Sequence, residues 1–165
     1  MIAKRFHPPI EDIAPLVKSA LSEGKSAKLT VTGYSMYPLL RSVSDCVLLE
    51  KAEKLKKYDI VLFERDDGTY ILHRIIKKKG DVLTIAGDNE TKKEYPVMAS
   101  SCVGKVTAFW REDKCYSKDV WWHIIYQRIW FAVFPIRKPL VKVYHMVAKL
   151  IRKLKSKRNK KKTGR

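Results

Sequence analysis

The apolar positions of this chain change their period twice. Over residues 10–21, Ile10, Ile13, Leu16, Val17, Ala20 and Leu21 recur at three- and four-residue spacings, with Gly24 just beyond. That spacing predicts a short amphipathic helix with a glycine stop. From Ala27 to Trp110 short runs of Val, Ile, Leu, Thr and Tyr alternate with turn residues, as strands joined by hairpins do. Strands are expected at 28–32, 46–50, 59–63, 70–76, 81–85 and 101–109. The clearest pair is 59–63 and 70–76, joined through Asp66-Asp67-Gly68.

Past residue 119 the pattern changes again, to an aromatic-rich stretch from Trp121 to Phe134 that stops at Pro135 and carries Gln127 and Arg128 near its middle. A spanning helix needs about 20 apolar residues, and an Arg at mid-bilayer costs roughly 2.5–3.5 kcal/mol. The region 120–155 is therefore expected to lie on a membrane, or to make at most a marginal single span. Within it Leu140, Val143, Tyr144, Val147, Leu150, Ile151 and Leu154 share one helical face, while Lys142, Lys149, Arg152 and Lys153 occupy the rest. A lysine-rich run, 155–165, follows and is expected to be solvated.

The pattern predicts a mainly β protein. A compact antiparallel domain over 27–119 is preceded by a helical lead-in, 1–26, and followed by a basic amphipathic tail, 120–165. The length of 165 residues suits one domain plus such an appendage. There is no internal repeat, and the stretch 1–15 lacks the continuous apolar core of a secretory signal.

Charge sharpens the picture of the tail. Of a net +18, the residues before Val120 supply only about +4; from Val120 onward there are 14 Lys or Arg and no Asp or Glu. A basic amphipathic segment flanked by Trp suits the interface of an anionic membrane. Nucleic acid is disfavoured as a partner, because the aromatics cluster apart from the basic run instead of alternating with it. Packing of the same segment on the domain is the plain structural alternative.

Cys46, Cys102 and Cys115 form neither an even disulfide set nor a Cys-x-x-Cys pattern, and are read as thiols. His7, His73, His123 and His145 are scattered without metal-ligand spacing, so neither a metal nor another cofactor is expected.

The candidate chemistry lies in three short motifs. Gly33-Tyr34-Ser35-Met36-Tyr37-Pro38 follows a predicted strand, where Gly33 permits a close backbone approach or positive φ and Pro38 stiffens the turn. It is not a Gly-x-Ser-x-Gly elbow, since Tyr37 replaces the second glycine. A serine hydroxyl needs a base and oxyanion donors to act as a nucleophile. His73, in Ile71-Leu72-His73-Arg74-Ile75-Ile76, offers an imidazole as base. Asp88, in Ala86-Gly87-Asp88-Asn89, offers an acid to hold its tautomer. Each alone also suits a structural part; only the ordered set favours catalysis.

That ordered set, together with Tyr58-Asp59-Ile60-Val61, resembles the type I signal peptidases over roughly residues 28–110. Because a histidine stands at the base position, the chain looks like the histidine branch, typical of the endoplasmic reticulum, archaea and some spore-forming bacteria. The resemblance implies a serine endopeptidase that cuts a leader or signal segment from a protein or peptide. In that reading Ser35 is the nucleophile, His73 the general base, Asp88 the leading candidate for the orienting acid and Glu94 the second. It also implies that the Ser35 N–H serves as an oxyanion donor, and that Gly33, Met36 and Pro38 shape the substrate site; Met36 equally suits the core. The family's usual amino-terminal membrane helix has no counterpart in this sequence. Two other functions stay open: a self-cleaving regulator built on the same protease fold, and a non-catalytic membrane or nucleic-acid binding module that kept it.

Overall fold

Ile60-Val61-Leu62-Phe63 is apolar at every position, so as a strand it must be buried on both faces. It is the middle strand of the sheet. The computed structural model describes residues 8–134, in which eight strands and two α-helices are found. In chain order they are α1 (Ile10–Ser22), β1 (Ala27–Thr30), β2 (Cys46–Lys51), β3 (Ile60–Glu64), β4 (Tyr70–Lys79), β5 (Val82–Ala86), β6 (Glu94–Met98), β7 (Cys102–Arg111), β8 (Lys114–Ser117) and α2 (Trp121–Ala132), with a 3-10 turn at Ala99–Ser101. All pairings are antiparallel, in the order β1-β2-β7-β3-β4-β5-β6, and β8 pairs with β7.

Alternation along β3 sends Ile60 and Leu62 into one core, with Val17, Leu21, Val31, Met36, Val47 and Phe109, and Val61 and Phe63 into a second, with Leu55, Ile75, Leu83 and Ile85. α1 lies against the first core through Val17 and Leu21. Glu11 and Asp12 in its first turn complement the helix dipole. Its end is closed by the Lys25 N–H donating to the Ala20 carbonyl and the Gly24 N–H to that of Leu21, a Schellman arrangement.

The expected helix and all six expected strands are present, with ends shifted by a few residues. Two strands were not foreseen. β6 contains Pro96, which interrupts a strand pattern but is tolerated at a sheet edge, where β6 lies. β8 returns from β7 through Glu112 and Asp113, both at positive φ (51° and 64°), a hairpin turn made without glycine.

The chain divides into two compact units, Met1–Ile129 and Trp130–Arg165. The first holds the sheet and the residues discussed below. There Trp122 and His123 of α2 pack their rings against Phe109, Trp122 also against Tyr116, and Tyr126 stacks on His123. These aromatics of the expected membrane segment thus cover the sheet. Among the described residues no helix is long and apolar enough to cross a membrane. The amphipathic segment 139–154 and the basic run 155–165 lie outside the described residues.

Candidate active site

The loop between β1 and β2 carries Ser35 and is fixed from several sides. Gly33 takes φ of 81°, a left-handed conformation that favours glycine. Met36, Leu39 and Leu40 are buried as anchors, so Met36 serves the first core as well as lining the groove beside Ser35. Buried Asp45 accepts from the Arg41 backbone N–H at 2.9 Å and from its guanidinium, and Arg111 donates to the carbonyls of Pro38 and Leu39. The Ser35 carbonyl accepts from the Asn89 N–H at 2.7 Å, which ties the serine loop to the turn after β5. Ser35 itself stays half-buried, between exposed Tyr34 and buried Met36.

His73 stands on β4 opposite Val61, facing the second core, with its ring 6.3 Å from that of Phe63. The imidazole is 1% exposed, and its Nε2 has no hydrogen-bond partner among the described residues. Gly87 explains how this ring meets the serine loop. A Cβ at that position would lie 2.6 Å from the Ser35 carbonyl oxygen and 3.0 Å from His73 Nε2. Only a residue without a side chain lets the loop and the imidazole approach through that point. No hydrogen bond joins the Ser35 hydroxyl to His73 among the described residues; such contacts commonly tighten only when substrate binds.

The geometry reverses the expected ranking of the two acids. Glu94 Oε1 lies 2.9 Å from His73 Nδ1, close but poorly aligned for a hydrogen bond. Its carboxylate is gripped by both arms of Arg65, at 2.7 and 2.8 Å. Asp88 instead belongs to Arg74, which donates to its two carboxylate oxygens at 3.0 and 2.9 Å, both side chains being fully buried. The reason is the period of the strand: His73 and Arg74 are neighbours on β4 and point to opposite faces, so an acid paired with one is turned from the other.

Arg74 also donates to the Tyr58 carbonyl and to Gln127, and Tyr126 donates to Asp88, so this pair secures α2 to the sheet. His123 completes the network in a fixed tautomer. Its Nδ1–H donates to the Lys118 carbonyl at 2.5 Å, leaving Nε2 to accept from Arg74 at 3.3 Å. Burial, and then the Arg74 charge, push its pKa below the ordinary histidine value, as a neutral ring requires.

For His73, burial is the main influence and pushes the pKa down from 6.5, while Glu90 and Glu94 act against it; the net direction is down. At neutral pH the ring is a free base. Burial pushes Glu94 upward, but the hydrogen bond and positive charge of Arg65 outweigh it, so the group is held below the usual carboxylate range. Sequence reasoning missed Glu90, Arg65 and the Arg74 role. It also saw no metal-ligand set in the scattered histidines, whereas the fold brings ligand atoms of His73, Glu90 and Glu94 within 4.8 Å of one another.

Beside Ser35 runs a groove of about 370 Å³ whose walls include Leu29, Val31, Met36, Leu62 and Leu72, with Pro9, Ile10 and Glu11 at the start of α1 also lining it. A family model described as Peptidase S24-like matches residues 4–107, well over half of the chain. The chain belongs to the Peptidase S24-like family. The match spans Ser35, His73, Asp88 and Glu94, and the serine-peptidase-like fold of that family agrees with the antiparallel sheet. No curated protein matches the chain.

Proposed function

We propose that this S24-like protein is a serine endopeptidase of signal-peptidase type, which removes a leader segment from a polypeptide. The observation that carries this reading is the buried, unpartnered Nε2 of His73. It faces the Ser35 loop across the bare backbone of Gly87, while Glu94 stands at the other ring nitrogen. In the proposed reaction Nε2 takes the Ser35 hydroxyl proton as Oγ attacks the scissile carbonyl carbon, and the Ser35 N–H donates to the oxyanion. The protonated ring then gives that proton to the leaving amine as the C–N bond breaks. Water, deprotonated by the same base, hydrolyses the acyl ester and frees Ser35.

Among the described residues β1 is paired only with β2, which leaves its other edge for an extended substrate, and the adjoining groove favours apolar residues ahead of the cut. The test is incubation of the full chain with leader-bearing precursors, new termini being read by mass spectrometry. One defined cut is expected. Cuts that persist in Ser35→Ala, or no cut in any precursor, would overturn the assignment. Self-cleavage is a second reading, favoured by the presence of Pro9, Ile10 and Glu11 in the groove wall; intact mass after prolonged incubation separates the two.

We further propose that the protein attaches to anionic membranes through α2 and the basic residues after it. Trp121, Ile125 and Ile129, at i, i+4 and i+8, are 71%, 48% and 60% exposed and form an apolar stripe on the side of α2 away from Trp122 and His123. Full-length protein is expected to sediment with vesicles containing phosphatidylglycerol, and to be released by high salt as the basic residues are screened. Trp121→Asp with Ile125→Asp should weaken sedimentation at least tenfold. Binding unaffected by either salt or the substitutions would remove this part of the reading.

A further inference from the structure

We propose that His73 and Glu90 form a divalent transition-metal site, best fitted to Zn²⁺, whose occupation switches off the base. The Nε2 of His73 and Oε1 of Glu90 are 3.6 Å apart. That is beyond hydrogen-bond range but near the separation of about 3.4 Å between two tetrahedral ligands held roughly 2.1 Å from one zinc ion. An imidazole nitrogen beside a carboxylate suits zinc better than calcium or magnesium, which prefer all-oxygen sets.

Three features of the surroundings support the assignment. The first is the orphaned Nε2: in a side chain 1% exposed, a ring nitrogen without a partner calls for an explanation, and a metal ion supplies one. The second is the other side of the ring. Glu94 lies 2.9 Å from Nδ1, so a proton held on that side leaves Nε2 as the lone-pair nitrogen, 3.6 Å from Glu90. A carboxylate behind a ligating histidine is the usual outer support of such sites. The third is access, since the Glu90 side chain is 38% exposed and opens a route from solvent to the buried ring.

Glu94 is not assigned as a ligand, because Arg65 engages both of its oxygens. Two protein ligands leave the other positions to water or substrate. The consequence for catalysis rests on the peptidase reading: the lone pair that would hold zinc is the pair that would take the Ser35 proton, so metal and base function exclude each other. Binding itself does not depend on that reading.

The test titrates chelator-treated full-length protein with ZnCl₂ by calorimetry, alongside Glu90→Ala and His73→Ala. One site is expected, weakened at least tenfold in each variant, and weakened about 10- to 100-fold in Glu94→Gln through loss of the outer support. Glu90 is partly exposed, so its variant keeps the test valid if His73→Ala fails to fold. Zinc should also slow precursor cleavage, with potency reduced at least tenfold in Glu90→Ala when each protein is compared with its own metal-free rate. Unchanged affinity in Glu90→Ala, or binding of Mg²⁺ as tight as that of Zn²⁺, would overturn the site. Zinc binding lost in both variants, in a protein that cleaves nothing, would uphold the site and remove the peptidase reading.

Discussion

A His73→Ala variant is expected to process its precursor roughly 10⁴-fold more slowly than the unaltered protein, and adding Ser35→Ala should cost almost nothing more. Nucleophile and base act as one unit, so the loss of either leaves only the residual contribution of binding and oxyanion donors. Glu94→Gln is expected to fall between, at roughly 10²–10⁴-fold, because an amide at Nδ1 neither holds the ring as firmly nor stabilises it once charged. The pH profile carries a further signature. With the His73 pKa pushed below 6.5 by burial, the base is neutral above that value, so turnover should be level through neutral pH and fall as the ring protonates below it. Single-turnover rates across pH of the unaltered protein, His73→Ala, Ser35→Ala, the double variant and Glu94→Gln measure all of this. A double variant much slower than either single one would show that the two side chains do not work together.

Asp88→Asn is expected to act on stability. Arg74 and Asp88 are both 0% exposed, and neutralising the acid takes from a buried guanidinium the carboxylate that it holds through two hydrogen bonds. Breaking a buried pair from one side costs about 3–5 kcal/mol, and for a domain of this size that lowers Tm by about 10 °C or more. Thermal melting followed by circular dichroism reads the shift directly. A change of only a degree or two would mean that the pair contributes little to holding α2. Comparison with Glu94→Gln, which should melt close to the unaltered protein, separates the acid that supports the fold from the acid beside the base.

That contrast also marks how far the sequence could be read. Whereas the candidacy of Ser35 and His73 rested on motif order and a family resemblance, the mainly β architecture and its six principal strands followed from periodicity and turn residues. The assignment of acids did not, although its signal was present: adjacent His73 and Arg74 on a strand must face opposite ways, and Arg74 requires an anion once it is buried. Motif order alone cannot say which of two acids lies on which face. β6 and β8 were hidden by chemistry that argues against strands, a proline inside one and a turn of Glu112 and Asp113 before the other. Glu90 and Arg65 carried no pattern of their own; they matter only because the chain brings the end of β3, the turn after β5 and the start of β6 around one ring. The aromatics of 121–134 were read as facing lipid, yet only one side of α2 is available for that, since Trp122, His123 and Tyr126 face the sheet.

Since only an α-hydrogen of Gly87 stands between the Ser35 carbonyl and the imidazole, the clearance between serine loop and ring depends on the course of the main chain through that turn. One residue inserted between Gly87 and Glu90 would shift the hydrogen bond from the Asn89 N–H to the Ser35 carbonyl and change that clearance at once.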